Sequence, residues 1–226
     1  MAPLEASPIV VDVFDLATRR LYLCVPARED MAIFLPGVLK GGVDVVQLRE
    51  KTLTGPLLLD QAHLIASICR EFNVPFIVND SPELALEAGG DGVHVGQDDV
   101  SVERCRELLG PDAIVGLSTH SANEFEDALG QKVTYLSAGP IVPTPTKVGR
   151  AGTGVRYAVE CQTRSPRPVF VTGGVNETNV AALVALGLRH FVVVRAITEA
   201  SDPVLAAHEI RRALDEALLA VPVEPT

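Results

Sequence analysis

Short apolar runs rich in β-branched residues recur at 21–25, 43–48, 76–78, 92–95, 114–117, 135–138, 169–172 and 191–194, each followed by a stretch long enough for a helix. Several are almost continuously apolar, without strict alternation, as expected of parallel strands covered on both faces. The stretches between them carry helix-start chemistry. Ser81-Pro82-Glu83 and Asp202-Pro203 each place a capping side chain before a proline suited to the first helical position, and Ser121-Ala122-Asn123-Glu124 reads as a capping box. Eight βα units in a chain of 226 residues imply an α/β fold, a single-domain (β/α)8 TIM barrel whose site lies where the C-terminal strand ends meet the βα loops. An open doubly wound sheet is the alternative, because counting units does not establish closure. The expected organisation is an N-terminal extension at 1–20, the barrel at 21–220 and a tail at 221–226.

Charge narrows the partners. With 19 Lys plus Arg against 29 Asp plus Glu, the formal charge of −10 repels both nucleic-acid phosphates and anionic lipid headgroups. Four cysteines, Cys24, Cys69, Cys105 and Cys161, form no C-x-x-C pair and read as buried thiols of a reduced, cytoplasmic protein. No window approaches the length and apolarity of a membrane span. The expected partners are small molecules, with homo-oligomerisation left open.

In a barrel, polar residues just past the strands gather in one basin. Gln47, Arg49 and Lys51 follow the second run, Asn79 and Asp80 the third, and His94, Gln97, Asp98 and Asp99 the fourth. Ser118 and His120 follow the fifth, Thr144-Pro145-Thr146-Lys147 the sixth and Gly173-Gly174 the seventh. Arg49 and Lys51, two apart on an extended segment, can present two cations to one anion, and they equally suit an ordinary surface strand end. Asp80 and Asp99 end neighbouring units and can offer two hard oxygen ligands to Mg²⁺; singly, each also suits a turn or a helix cap. The proline-stiffened segment around Lys147, continuing into Gly149, Gly152 and Gly154, suits a lid or a plain connection. Gly173-Gly174 suits a phosphate site after strands 7 and 8. No Walker A sequence, G-x-S-x-G elbow or H-E-x-x-H is present, and Ser118 with His120 lacks a third member for a hydrolytic triad.

Taken in order, Gln47-Leu48-Arg49-Glu50-Lys51, Asn79-Asp80, Gly92 to Asp99, Gly116 to His120, Gly139-Pro140-Ile141 with Thr144-Pro145-Thr146-Lys147, and Gly173-Gly174-Val175 resemble the thiamine-phosphate synthase family, from about Leu21 to Ile197. The resemblance implies a transferase that joins hydroxymethylpyrimidine diphosphate to hydroxyethylthiazole phosphate, or its carboxylate form, releasing pyrophosphate. It implies that Gln47, Leu48, Arg49, Glu50, Lys51, Asn79, Ser118 and Lys147 hold the pyrimidine diphosphate, with Arg49, Lys51, Lys147 and Ser118 acting in the reaction. It places Mg²⁺ on Asp80 and Asp99, and the thiazole phosphate on Thr144, Pro145, Thr146, Gly174, Val194 and Arg195. Three positions depart from the family's pattern: Arg195 stands where a serine is usual, Ser137 where glycine is common and Val148 where proline follows the lysine. The competing readings are a thiazole phosphate isomerase using His120 as acid and base, and a non-catalytic sensor of phosphorylated ligands.

Overall fold

The computed structural model describes residues 14–144 and 151–221. Eight parallel strands pair in sequence order, and β1 (Leu21–Val25) hydrogen-bonds to both β2 (Val45–Leu48) and β8 (His190–Val193), so the sheet closes into a barrel. Between them come β3 (Phe76–Asn79), β4 (Gly92–Val95), β5 (Ile114–Thr119), β6 (Tyr135–Ala138) and β7 (Val169–Val171). Closure removes the open-sheet alternative. Every strand matches one of the sequence runs to within two residues at either end. In the eighth unit the strand begins at His190, one residue ahead of the run at 191–194.

The helices are α1 (Met31–Lys40), α2 (Gly55–Glu71), α3 (Pro82–Ala88), α4 (Val102–Leu109), α5 (Ala122–Leu129), α6 (Val155–Arg164), α7 (Val180–Ala185), the four-residue α8 (Arg195–Thr198) and α9 (Pro203–Ala220). Their starts follow the capping chemistry. Ser81 accepts from the Leu84 N–H at 3.1 Å, Asp202 from Leu205 at 2.9 Å and Ser121 from Glu124 at 3.3 Å. The reciprocal arm of the Ser121 box differs from expectation: Glu124 accepts from the N–H of His120, one residue earlier. Ser101 caps α4, which leaves Asp98 and Asp99 without a capping role there.

Strand alternation sorts the side chains into two cores. Val46, Leu48, Phe76, Val78 and Val93 face outward and pack beneath the helices, where each large apolar side chain contributes about 1.5–3 kcal/mol. Tyr22, Val45, Ile77, Ile114, Tyr135 and Phe170 face inward and fill the lower barrel, and Leu16, ahead of β1, packs against them. Gly116 is fixed by this interior: a Cβ there would lie 2.2 Å from Tyr135 Cζ and 2.5 Å from His94 Nδ1, where the two rings stack with centroids 5.4 Å apart. Gly116→Ala is therefore expected to cost about 1–3 kcal/mol in urea unfolding, from overpacking of fixed rings.

His190 sits at the N-terminal end of the barrel, buried, with Nδ1–H donating to the Arg19 carbonyl at 2.6 Å and Nε2 facing the Arg20 guanidinium at 3.4 Å. Burial, then the charges of Arg20 and Arg189, hold its pKa down at about 4 against an ordinary 6.5. Between those values the unfolded chain binds a proton that the folded one refuses. Stability is accordingly expected to fall as pH drops from 6.5 to 4, with no further loss from this group below that. Thermal melts of His190→Gln should show a shallower decline over that window.

Candidate active site

Above the apolar filling, the inward positions change character. Cys24, Gln47, Asn79, His94, Ser118, Ser137 and Thr172 line a cavity of about 200 Å³ at the C-terminal strand ends. Its floor is hydrogen-bonded in two chains. In one, Cys24 Sγ donates to Gln47 Oε1 at 3.2 Å, Gln47 Nε2 donates to Tyr22 Oη at 2.8 Å, and the hydroxyls of Tyr22 and Tyr135 lie 2.9 Å apart. In the other, His94 Nε2 meets Ser118 Oγ at 2.9 Å and Ser118 Oγ meets Ser137 Oγ at 3.3 Å. These groups are buried and locked to one another, so the floor offers hydrogen-bonding atoms at fixed positions.

The walls hold some of the expected residues. Gln47, Arg49, Asn79 and Ser118 stand on the side formed by β2 to β5, and Gly174, Val194 and Arg195 on the side formed by the loops after β7 and β8. Thr144 reaches the cavity from the loop after β6. Gly173 and Gly174 both adopt left-handed backbone, with φ of 99° and 76°. A Cβ on Gly173 would fall 2.6 Å from Pro140 Cβ, so the turn requires glycine. Arg195 opens the short α8 and is exposed at the rim. Pro145, Thr146 and Lys147 lie outside the described residues.

Lys51, Leu48 and Glu50 stand elsewhere. Leu48 faces the helices, 1% exposed, as alternation from Gln47 demands. Glu50 organises the loop: its Oε1 accepts from the N–H groups of Lys51, Thr52 and Leu53 and from the Thr52 hydroxyl, and its Oε2 accepts from the Ala27 N–H. Desolvation alone would raise that carboxyl, but those hydrogen bonds outweigh it and hold the pKa at about 2. The extended run expected through Lys51 ends at Leu48, because the chain wraps around Glu50. Lys51 is exposed and does not line the cavity. Glu50→Ala is expected to lose about 1.5–3 kcal/mol of stability by urea unfolding, through several charge-assisted hydrogen bonds lost together.

Asp80 directly follows the cavity-lining Asn79, and it lies close enough to Asp99 for the two carboxyls to act on each other electrostatically. Asp80 is held at φ 63°, left-handed for a non-glycine residue, while its N–H donates to the His94 carbonyl at 2.8 Å. Asp99 is anchored by the Gly96 N–H at 2.8 Å. Desolvation, then the Asp99 carboxyl, push Asp80 up to about 6; Arg49 and Asn79 pull it the other way. Among the described residues no cluster of three or more His, Cys, Asp or Glu is placed to hold a metal.

Residues 21–197 match the family model described as thiamine monophosphate synthase. The chain belongs to that family. A thiamine-phosphate synthase of Acidothermus cellulolyticus is 44% identical over 201 residues, covering 86% of this chain and 94% of the relative. One from Mycobacterium bovis is 40% identical over 217 residues, covering 89% and 97%. The solved thiamine phosphate pyrophosphorylase of Pyrococcus furiosus superposes with a TM-score of 0.80 at 27% identity, covering 88% and 96%. Thiamine-phosphate synthases are transferases, and this family member has their barrel fold.

Among the cavity residues absent from the strand-end reading of this family member are Tyr22, Cys24, Tyr135 and Thr172. Each lies within a strand or directly after it, on the inward face. The signal for them was the two-residue spacing of Tyr22 with Cys24 and of Tyr135 with Ser137.

Proposed function

We propose that the chain joins 4-amino-2-methyl-5-hydroxymethylpyrimidine diphosphate to hydroxyethylthiazole phosphate, giving thiamine phosphate and pyrophosphate. The observation that carries this is one cavity with two kinds of wall. Amide, guanidinium and hydroxyl groups from β2 to β5 face glycine-rich backbone and Arg195 from the loops after β7 and β8. The first wall suits a heterocycle carrying a diphosphate; the second suits a phosphate monoester.

The chemistry asks for no side-chain nucleophile. The C–O bond between the pyrimidine methylene and the diphosphate breaks with its electron pair leaving on the diphosphate. The amino-substituted ring spreads the resulting positive charge, and the thiazole nitrogen supplies the pair that forms the new C–N bond. Arg49, and Lys147 three residues beyond Thr144, stabilise the departing anion. Ser118, pinned between His94 and Ser137, holds a hydroxyl toward the reacting groups. Thr144, Gly174 and Arg195 set the thiazole phosphate so that its ring stands at attack distance.

Asp80 and Asp99 fit Mg²⁺. Two hard carboxylates, with no third His, Cys, Asp or Glu grouped with them among the described residues, suit an ion that draws its remaining ligands from water and substrate phosphate. When bound there, Mg²⁺ neutralises diphosphate charge. The isomerase reading is less well supported, since His120 does not line the cavity and its Nδ1 engages the Gly139 carbonyl.

Pyrophosphate release from the two substrates is expected with Mg²⁺ and not with EDTA. Lys147→Ala should lose more than tenfold in turnover, about 1.4 kcal/mol of transition-state stabilisation. No pyrophosphate under any of these conditions would reject the reaction, and binding of both substrates without turnover would favour the sensor. Unchanged kinetics in Lys147→Ala would remove that lysine from the site.

A further inference from the structure

Gln47 has two amide hydrogens and two carbonyl lone pairs. One hydrogen is directed at the tyrosine pair, with Nε2 donating to Tyr22 Oη while the amide also acts on Tyr135, and one lone pair of Oε1 accepts from Cys24 Sγ. Because Tyr22 Oη already receives a hydrogen from Gln47, its own hydrogen is available to Tyr135 Oη, 2.9 Å away. Burial raises both phenols, so neither hydrogen is lost in the ordinary pH range. The rings are held as firmly as the hydroxyls. Tyr22 packs edge-on to Phe170 at 5.3 Å between centroids, and Tyr135 stacks on His94.

We infer that Tyr22, with Cys24, is a positioning residue that fixes the orientation of the Gln47 amide and thereby sets which pyrimidine edge the site accepts, a step that rests on the proposed pyrimidine substrate. With the amide held this way, one N–H and one lone pair remain for the cavity. That pair complements a ring nitrogen acceptor beside an exocyclic amino donor. A 4-oxo pyrimidine carries the reverse order, a ring N–H beside a carbonyl, and needs the amide turned over. Turning it over sets the amide N–H groups against a thiol, a weak acceptor, and forces both tyrosine hydroxyls to reverse their donation. Gln47 is 6% exposed and Tyr22 1%, so water does not repair the mismatch.

The test is calorimetry with the 4-amino and 4-oxo forms of 2-methyl-5-hydroxymethylpyrimidine monophosphate, which lack the diphosphate leaving group and so report binding alone. Tyr22→Phe keeps the ring and removes only the hydroxyl. The wild-type chain is expected to prefer the amino form at least a hundredfold, and Tyr22→Phe to reduce that ratio at least fivefold. Cys24→Val should move it in the same direction, and it serves if Tyr22→Phe fails to give a cooperative melt. In a Gln47→Ala background the Tyr22→Phe substitution should change the ratio less than twofold. An unchanged ratio in Tyr22→Phe and Cys24→Val overturns the inference, as does an equal drop in the Gln47→Ala background, which would mean that Tyr22 acts by packing. Wild-type chain that releases pyrophosphate yet fails to discriminate the two forms overturns it as well, leaving the synthase reading intact; wild-type chain that releases none fails at the earlier step.

Discussion

Closure of the sheet is the constraint on which the site depends. Once β1 pairs with β8 as well as β2, residues two apart on every strand share one interior, and their height along the barrel decides what they touch. Lower positions carry Val45, Ile77, Ile114 and Phe170 and pack into an apolar plug. One step higher the same strands carry Gln47, Asn79, Gly116 and Thr172. The cavity is the place where the plug stops and the polar layer begins, and Tyr22 and Tyr135 span that boundary with rings in the plug and hydroxyls in the layer.

Much of this was legible before any coordinates. The eight strands and the Ser81, Ser121 and Asp202 caps depend on local patterns, which survive in a linear sequence. So did the strand-end residues Gln47, Arg49, Asn79 and Ser118, because a barrel sends strand ends to one face. Tyr22 and Tyr135 escaped notice because a buried aromatic in an apolar run looks like ordinary core, and only closure shows that their hydroxyls meet. Glu50 lies within a recognisable motif, but its work is structural: which backbone N–H groups a carboxylate collects depends on how the chain turns after Leu48. Ser118 was weighed against His120, two residues away, whereas its partner is His94 on the neighbouring strand.

Electrostatics are arranged locally within a chain of net charge −10. Arg49 lines the cavity next to the Asp80 and Asp99 pair, so positive and negative groups stand side by side at the rim. Asp80 adopts left-handed backbone, with φ 63°, at an energetic cost of about 1–3 kcal/mol.

The central claim is that this cavity joins two heterocycles. Mass spectrometry of the products formed from both substrates with Mg²⁺ tests it most directly. The account predicts a single new species with the mass of thiamine phosphate, formed in equal number to the pyrophosphate released and absent when either substrate is omitted. A thiazole phosphate altered without loss of pyrophosphate, or a pyrimidine diphosphate merely hydrolysed to its alcohol, would contradict it.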